Sequence, residues 1–303
     1  MPLKDLIAGI LVMALWGINF SVIKLGVSEI DPLLLTGLRF TFVCFPIIFF
    51  VKKPDVSWSY LIAYGLIFGI GIWGMGSWSI EAGLSVGMAS VLLQMNVVMG
   101  MFLGYLLLKE TISTQKLIGA MIAIAGLLMS LTVSDGSVTS KGFGLILCAA
   151  LAWSISSIII KRSGTKQVFA FSIWAIVFAP LPLFLIVFLK SGSEPFIVMT
   201  SELNSRVIFS VLFQAYPTTL LGYWVWNRLL MKYPLSTVAP LTLLVPIFGL
   251  LGGAIFYQEQ IGMIKALSCF MVISGLFIGL LRINLTSLCQ PRLILQKLFF
   301  MKR

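Results

Sequence analysis

Trp16-Gly17-Ile18-Asn19, followed by Lys24, returns as Trp153-Ser154-Ile155-Ser156, followed by Lys161, with every matched position 137 residues further on. Beyond it, Glu110, Ile112, Lys116, Ile124, Gly126 and Leu127 recur as Glu259, Ile261, Lys265, Ile273, Gly275 and Leu276, now 149 residues on. The chain therefore carries one pattern twice, with the extra residues expected in the polar stretch Ser191 to Ser205. Both copies are built from long apolar runs. Of 303 residues, 59% are hydrophobic and 10% charged, against about 25% charged in a soluble domain. Water cannot solvate most of such a surface, and no segment is polar enough to fold as a separate soluble domain.

A helix crossing the roughly 30 Å hydrocarbon layer takes about 20 mostly apolar residues. Such runs are divided here by Asp31-Pro32, Lys52-Lys53-Pro54-Asp55, Ser134-Asp135-Gly136-Ser137, Ser163-Gly164 and Ser191-Gly192-Ser193. They predict helices near residues 5 to 25, 33 to 51, 59 to 79, 83 to 108 and 115 to 134, then 142 to 161, 168 to 190, 206 to 230, 235 to 257 and 262 to 282. The expected fold is an all-α polytopic membrane protein of ten transmembrane helices. Five spans per half is an odd number, so the second copy enters the membrane from the opposite face. The halves are then two inverted five-helix repeats, residues 1–136 and 137–282, followed by a basic cytoplasmic tail over 283–303. That tail either lies along the inner leaflet as an amphipathic segment or is frayed. Inverted repeats recur in secondary transporters, because exchanging the conformations of the halves turns a site open to one side into a site open to the other.

The net charge of +11 comes from Lys and Arg scattered singly and in pairs, without the basic stripe that nucleic acid requires. It reads as a topology signal. With the N-terminus inside, only Lys24, Lys141, Lys190, Arg206 and Lys265 of the 21 Lys and Arg lie outside, and Arg39 falls within a span. Both termini are thus expected in the cytoplasm, with the chain spanning the membrane between them. The run Leu6 to Leu25 is too long for a signal-peptide core and lacks a small-residue cleavage site, so it is expected to be retained as a span. The absence of His removes the commonest metal ligand and the usual neutral-pH base. Cys44, Cys148, Cys269 and Cys289 show no paired spacing and read as packing residues. No metal, cofactor or enzyme activity is expected, and the assembly is read as a monomer or weak dimer.

Polar side chains within a bilayer face the bundle interior or a wet cavity, because an unpartnered polar group in hydrocarbon costs several kcal/mol. Asn19 stands one turn beyond Trp16, and Ser156 stands likewise to Trp153, so each pair shares a face. These four either line a pathway or serve packing and helix-to-helix hydrogen bonds. Gln94 and Asn96 both donate and accept, which suits a zwitterion. They face a ninth span that is apolar at Leu243 and Val245 and interrupted by Pro240 and Pro246, a bend that is either static or used in motion. Tyr223 is the cavity candidate of the eighth span; Trp226 and Asn227 lie nearer its inner end. Trp78 and Glu81 close the third span, and Glu81 is the carboxylate nearest to being buried, hence the candidate for coupling to protons. Arg39 either holds a substrate carboxylate or snorkels outward to a carbonyl. Gly100 with Gly104, and Gly275 with Gly279, have the spacing of tight helix packing.

Trp16-Gly17-Ile18-Asn19-Phe20-Ser21-Val22-Ile23-Lys24, Leu38-Arg39-Phe40, Ala89-Ser90-Val91-Leu92-Leu93-Gln94, Lys109-Glu110, Val238-Ala239-Pro240-Leu241 and Glu259 together resemble the EamA family of the drug/metabolite transporter superfamily. The resemblance spans nearly the whole chain and fails at Glu81. It implies two inverted five-helix repeats around a central cavity lined chiefly by the first, third, fourth, sixth, eighth and ninth spans. It also implies export of small amino-acid-like zwitterions, of the cysteine and O-acetylserine type, by alternating access. A broader drug or aromatic-amino-acid exporter, or a non-transporting scaffold, are the alternatives. Transport direction comes from the resemblance alone.

An even number of crossings can be checked in a cysteine-free background. Single cysteines at positions 4 and 297 are expected to resist a membrane-impermeant maleimide in spheroplasts and to react after permeabilisation. Reaction of one end alone would remove the duplication.

Overall fold

The computed structural model describes residues 1–201, 203–233 and 235–280, the side chains of 235 and 236 excepted; the tail expected over 283–303, with Cys289, lies outside them. Among the described residues every regular element is helical. In chain order the helical segments are α1 Leu3–Val27, α2 Pro32–Phe49, α3 Trp58–Glu81, α4 Val86–Leu108, α5 Thr114–Ser130, α6 Ser140–Ser163, α7 Val168–Ser191, α8 Glu194–Ser201, α9 Ser205–Lys232, α10 Ala239–Tyr257 and α11 Met263–Leu280. Eight of these are long and apolar enough to cross a membrane, and α8 with α9 makes a ninth if that pair, bent by 108°, is one span.

The differences from the expected spans have local causes. The fifth expected span stops as a 17-residue helix at Ser130, where the Ser130 and Thr132 hydroxyls turn back onto the carbonyls of Leu127 and Met129. In α2 the regular helix ends at Cys44, because Pro46 has no N–H to continue it. The stretch expected as an inserted loop holds the short helix α8. Helix starts follow the punctuation residues: Asp31 accepts from the Leu33 and Leu34 N–H groups, Ser85 from Met88, Thr139 from Gly142, and Asn204 from Arg206 and Val207.

The outer surface decides the solvent. Leu106, Leu189 and Phe270 are 68%, 75% and 67% exposed, and only lipid tolerates a belt of such side chains around a bundle whose backbone is satisfied within helices. The chain is a multi-pass membrane protein. Inside, α1 packs on α10 and α9, α6 on α4 and α3, α2 on α7 and α9, α3 on α7, α4 on α10, and α5 on α11.

The α5–α11 contact is the tightest in kind. A Cβ added at Gly119 would lie 2.4 Å from the Gly275 carbonyl oxygen, and one at Gly275 would lie 2.5 Å from the Gly119 carbonyl oxygen. Small residues let these backbones touch, as the Gly275/Gly279 spacing indicated. The Gly100/Gly104 pair does not work that way: a Cβ at Gly100 would meet only the Ser154 side chain, at 3.7 Å.

Gly275→Ala is therefore expected to destabilise the fold by about 1–3 kcal/mol through overpacking. Gly279→Ala, whose Cβ would meet nothing within 4 Å, should stay within about 0.5 kcal/mol of wild type. Reversible unfolding in mixed micelles would measure both.

Candidate functional site

Two helices widen locally from the α to the π form, over Ile67–Gly74 in α3 and Gln214–Leu221 in α9. Pro217 explains the second: it lacks an N–H and breaks the regular ladder, and within the same turn the Thr219 hydroxyl donates to the Gln214 carbonyl at 2.7 Å. The widened turn leaves the Thr218 carbonyl free to accept from Trp16 Nε1 at 3.0 Å. The first π segment is rich in glycine and sets Trp73 against the middle of the bundle. Its rings meet there: Trp16 lies 5.3 Å from Tyr223 and 5.7 Å from Trp226, Trp73 lies 5.9 Å from Trp153, and Phe68 bridges Tyr223 and Trp73 at 6.1 and 6.4 Å.

These rings line a cavity of about 640 Å³, within the range of small-molecule sites. Its walls come from α1, α3, α4, α6, α9 and α10, with Val168 and Ser172 of α7 added. Polar groups are few: Gln94, Asn96, Ser154, Ser156, Thr218, Asn227 and Thr242 among them. Among the described residues the only charged lining side chains are Glu110 and Lys161, which pair with each other at one end, 46% and 60% exposed. The cavity opens at that end.

The other end is shut. Glu259 accepts from the Val86 N–H at 2.7 Å and the Gly87 N–H at 3.1 Å, and its Oε1 lies 3.4 Å from Lys24 Nζ. Only 9% of the Glu259 side chain is exposed. Lys24 sits 4.4 Å over the Tyr257 ring, whose hydroxyl donates to the Ser21 carbonyl at 2.7 Å. Glycines make the approach possible: Cβ atoms at Gly17, Gly249 and Gly253 would lie 2.4, 2.2 and 2.3 Å from Phe248, Ser90 and Glu259. By sequence offset, Lys24 and Glu259 are the counterparts of Lys161 and Glu110. One pair is buried and latched; the other is exposed at the mouth.

Trp16, Gln94, Asn96, Trp153, Ser156 and Tyr223 line the cavity, as do Trp226 and Asn227. Gln94 Nε2 donates across to the Thr242 carbonyl at 3.3 Å, and the Ser156 hydroxyl is satisfied by its own helix at Trp153. The other candidates fall elsewhere. Asn19 is fully buried beside the lining, since the cavity edge follows Trp16 and Phe20, and neither of its amide atoms has a hydrogen-bond partner. Arg39 does not snorkel: it is 0% exposed, donates to Thr219 Oγ1 at 2.8 Å and Gln214 Oε1 at 3.4 Å, and lies 4.1 Å from the Trp73 ring. It therefore stands behind the cavity wall, outside the lining. Trp78 sits at the closed end between Lys141 and Lys190, 5.2 and 4.6 Å from its ring. Pro246 is buried, with its carbonyl toward Ser90. Glu81 is exposed at the end of its helix.

Sequence reasoning missed Tyr64, Phe68 and Trp73, because the third span reads as uniformly apolar and its π turn has no simple spacing signal. It also used Glu110, Lys161, Lys24 and Glu259 only as markers of the repeat. Their matched charges, opposite within each half-to-half pair, were the available signal.

Comparison with known proteins bears on this cavity. The sequence profile of the EamA-like transporter family matches residues 3–132 and 140–281. A "Probable amino-acid metabolite efflux pump" of Salmonella typhimurium is 34% identical over 285 residues, covering 92% of this chain and 95% of that protein. A protein of the same description from Escherichia coli is 33% identical over 285 residues with the same coverage. An "Uncharacterized transporter" of Archaeoglobus fulgidus is 26% identical, covering 91% of this chain and 98% of its own. One solved crystal structure superposes with a TM-score of 0.51 over 91% of this chain and 95% of its own, at 16% identity, which speaks for the fold alone.

Removing a partner from the shut end should expose two buried N–H groups and leave Lys24 without its partner. Glu259→Ala is expected to lower stability by on the order of 3 kcal/mol. Glu110→Ala, at the exposed pair, should change it by less than about 1 kcal/mol. Equal losses in micelle unfolding would contradict the asymmetry.

Proposed function

The chain belongs to the EamA-like transporter family, and from that premise we propose that it exports small amino-acid-like metabolites, of the cysteine and O-acetylserine type, across the bacterial inner membrane. The observation that carries the reading is the charge of the cavity. Among the described residues its lining holds no unpaired charge, and the one acid and one base there neutralise each other at the mouth. A zwitterion adds no net charge to such a low-dielectric wall, whereas a cation would strand its charge there, facing Arg39 behind the Trp73 ring. Its ammonium end is attracted by ring faces, and its carboxylate is offered Thr218 Oγ1, a buried hydroxyl with no hydrogen-bond partner among the described residues. The two relatives described as amino-acid metabolite efflux pumps support the same class and direction. The ring-lined volume of about 640 Å³ exceeds what cysteine fills and favours a second reading, an exporter that also takes aromatic amino acids.

Alternating access follows from the inverted repeat, and several features support that repeat. The π segments begin at Ile67 and Gln214, 147 residues apart, and left-handed caps at Lys109 and Gln258 stand 149 apart. Exchanging α1 with α6, α2 with α7, α3 with α9, α4 with α10 and α5 with α11 maps the main packing pairs named above onto one another. The distribution of Lys and Arg supports a cytoplasmic Glu110 end, and on that orientation we read the conformation as the inward-open member of the proposed cycle. In the outward-open member Glu259 releases Val86 and Gly87, and Glu110 takes the equivalent N–H groups of Leu235 and Ser236, 149 residues further along.

The test is flux of labelled O-acetylserine, cysteine and phenylalanine in proteoliposomes. Uptake or release of at least one above empty vesicles is expected, reduced tenfold or more by Trp153→Ala. Gly100→Leu, which fills open space beside Ser154, should abolish flux while keeping the wild-type melting temperature. Absence of flux with all three amino-acid substrates in a folded wild-type protein would overturn the assignment.

A further inference from the structure

A second, polar pocket of about 330 Å³ lies at the closed end, lined by Lys24, Ser137, Glu259 and Lys265 with Asp135 at its rim. Lys265, the third residue of α11, is 2% exposed, yet its Nζ has no hydrogen-bond partner among the described residues. A buried ammonium without an acceptor is costly unless the site supplies one. The neighbouring acids do not. Glu259 is taken up by the Val86 and Gly87 N–H groups and by Lys24. Asp135 accepts from the Ser137 N–H at 2.8 Å and forms no ion pair with Lys265. Its carboxyl is nevertheless held below the usual range: burial pushes it up, but the Ser137 hydroxyl and N–H and the charge of Lys265 outweigh that. The pocket thus presents a buried donor to one side and an ionised, exposed acid to the other, with room between them.

We propose that this pocket is a second binding site, in which the carboxylate of a small amino acid is held by Lys265 Nζ while its ammonium group faces Asp135. The site lies beyond the Lys24–Glu259 latch as seen from the main cavity. Calling it an exit site rests on the export reading above; the binding itself does not. The same chemistry could arrive from the cavity or from the outer medium, so the occupant is a small amino-acid zwitterion from either source.

Binding can be read without flux, so that its failure and the failure of the export reading are separable. In nanodiscs at fixed ionic strength, glycine and acetate are expected to protect the protein thermally, and methylamine is not. Lys265→Gln should weaken that protection at least tenfold, and Asp135→Asn should weaken it for glycine but not for acetate. Trp153→Ala, in the main cavity, should leave it unchanged. A second measurement needs no variant: in the wild-type protein, glycine should slow acylation of Lys265 by a succinimidyl ester, read by mass spectrometry. Protection that survives Lys265→Gln, or vanishes in Trp153→Ala, would overturn the proposal, as would acylation of Lys265 indifferent to glycine. Glycine entering from the outer medium should act in sealed right-side-out vesicles without added internal substrate; occupancy seen only with internal substrate assigns the guest to the cavity, and either result supports the site.

Discussion

A carboxylate buried at one end of a membrane bundle must find every partner within the protein, and Glu259 finds three donors on α1 and at the start of α4. The rest of the arrangement depends on that demand. Backbone N–H groups can be reached by a side chain from a neighbouring segment only if the helices nearly touch, and they touch because Gly17, Gly87, Gly249 and Gly253 leave no Cβ in the way. The same closeness shuts the passage above Phe20. The polar bond and the glycine contacts form one device: without the glycines the acid could not reach its donors, and without the acid two N–H groups would be orphaned.

The middle of the bundle solves a different problem, how to hold a polar guest in a wall made of rings. Arg39 brings a full positive charge to within one indole of the cavity, with no carboxylate beside it among the described residues. Its donors are met by Thr219 and Gln214, which the π turn of α9 places on its side. Both π segments therefore serve the same wall, one presenting Trp73 and the other presenting the oxygens that fix the guanidinium behind it. In so low a dielectric a charge at this distance is felt through the ring. For the proposed zwitterion this draws the carboxylate inward and leaves the ammonium toward the mouth.

How much of this could be read from residues alone depends on what kind of signal each feature leaves. Apolar length, span breaks and the two offsets of the repeat are one-dimensional, and they located most of the long apolar helices, the family, and Trp16, Trp153 and Tyr223 among the cavity's rings. Ends were less legible where a Ser or Thr hydroxyl or a proline stops a helix early, as at Ser130 and Pro46. The depth of a side chain around its helix was less legible still: Asn19 and Arg39 were picked as polar residues in apolar runs, which is a sound reason to look, but periodicity on α1 and α2 does not say which flank the neighbours leave open. A π turn adds a residue without changing composition, so the register of Trp73 and Thr218 cannot be counted from a 3.6-residue repeat. The latch was visible as paired charges 149 and 137 residues apart; what sequence could not show was that the two copies sit in different environments.

That difference is the most informative property of the molecule. Lys24–Glu259 and Lys161–Glu110 are the same pair in sequence, yet one acid is 9% exposed and the other 46%. If sequence alone set the local structure, equivalent residues would adopt equivalent burial. They do not, and on the proposed alternating-access reading the asymmetry belongs to the conformation, with a second arrangement in which the burials are exchanged. Forming one latch while opening the other trades like bonds for like bonds, which keeps the two arrangements close in free energy. A two-state element with so small a gap is what a ligand of modest differential affinity can shift, and in the proposed cycle that ligand is the guest of the aromatic cavity.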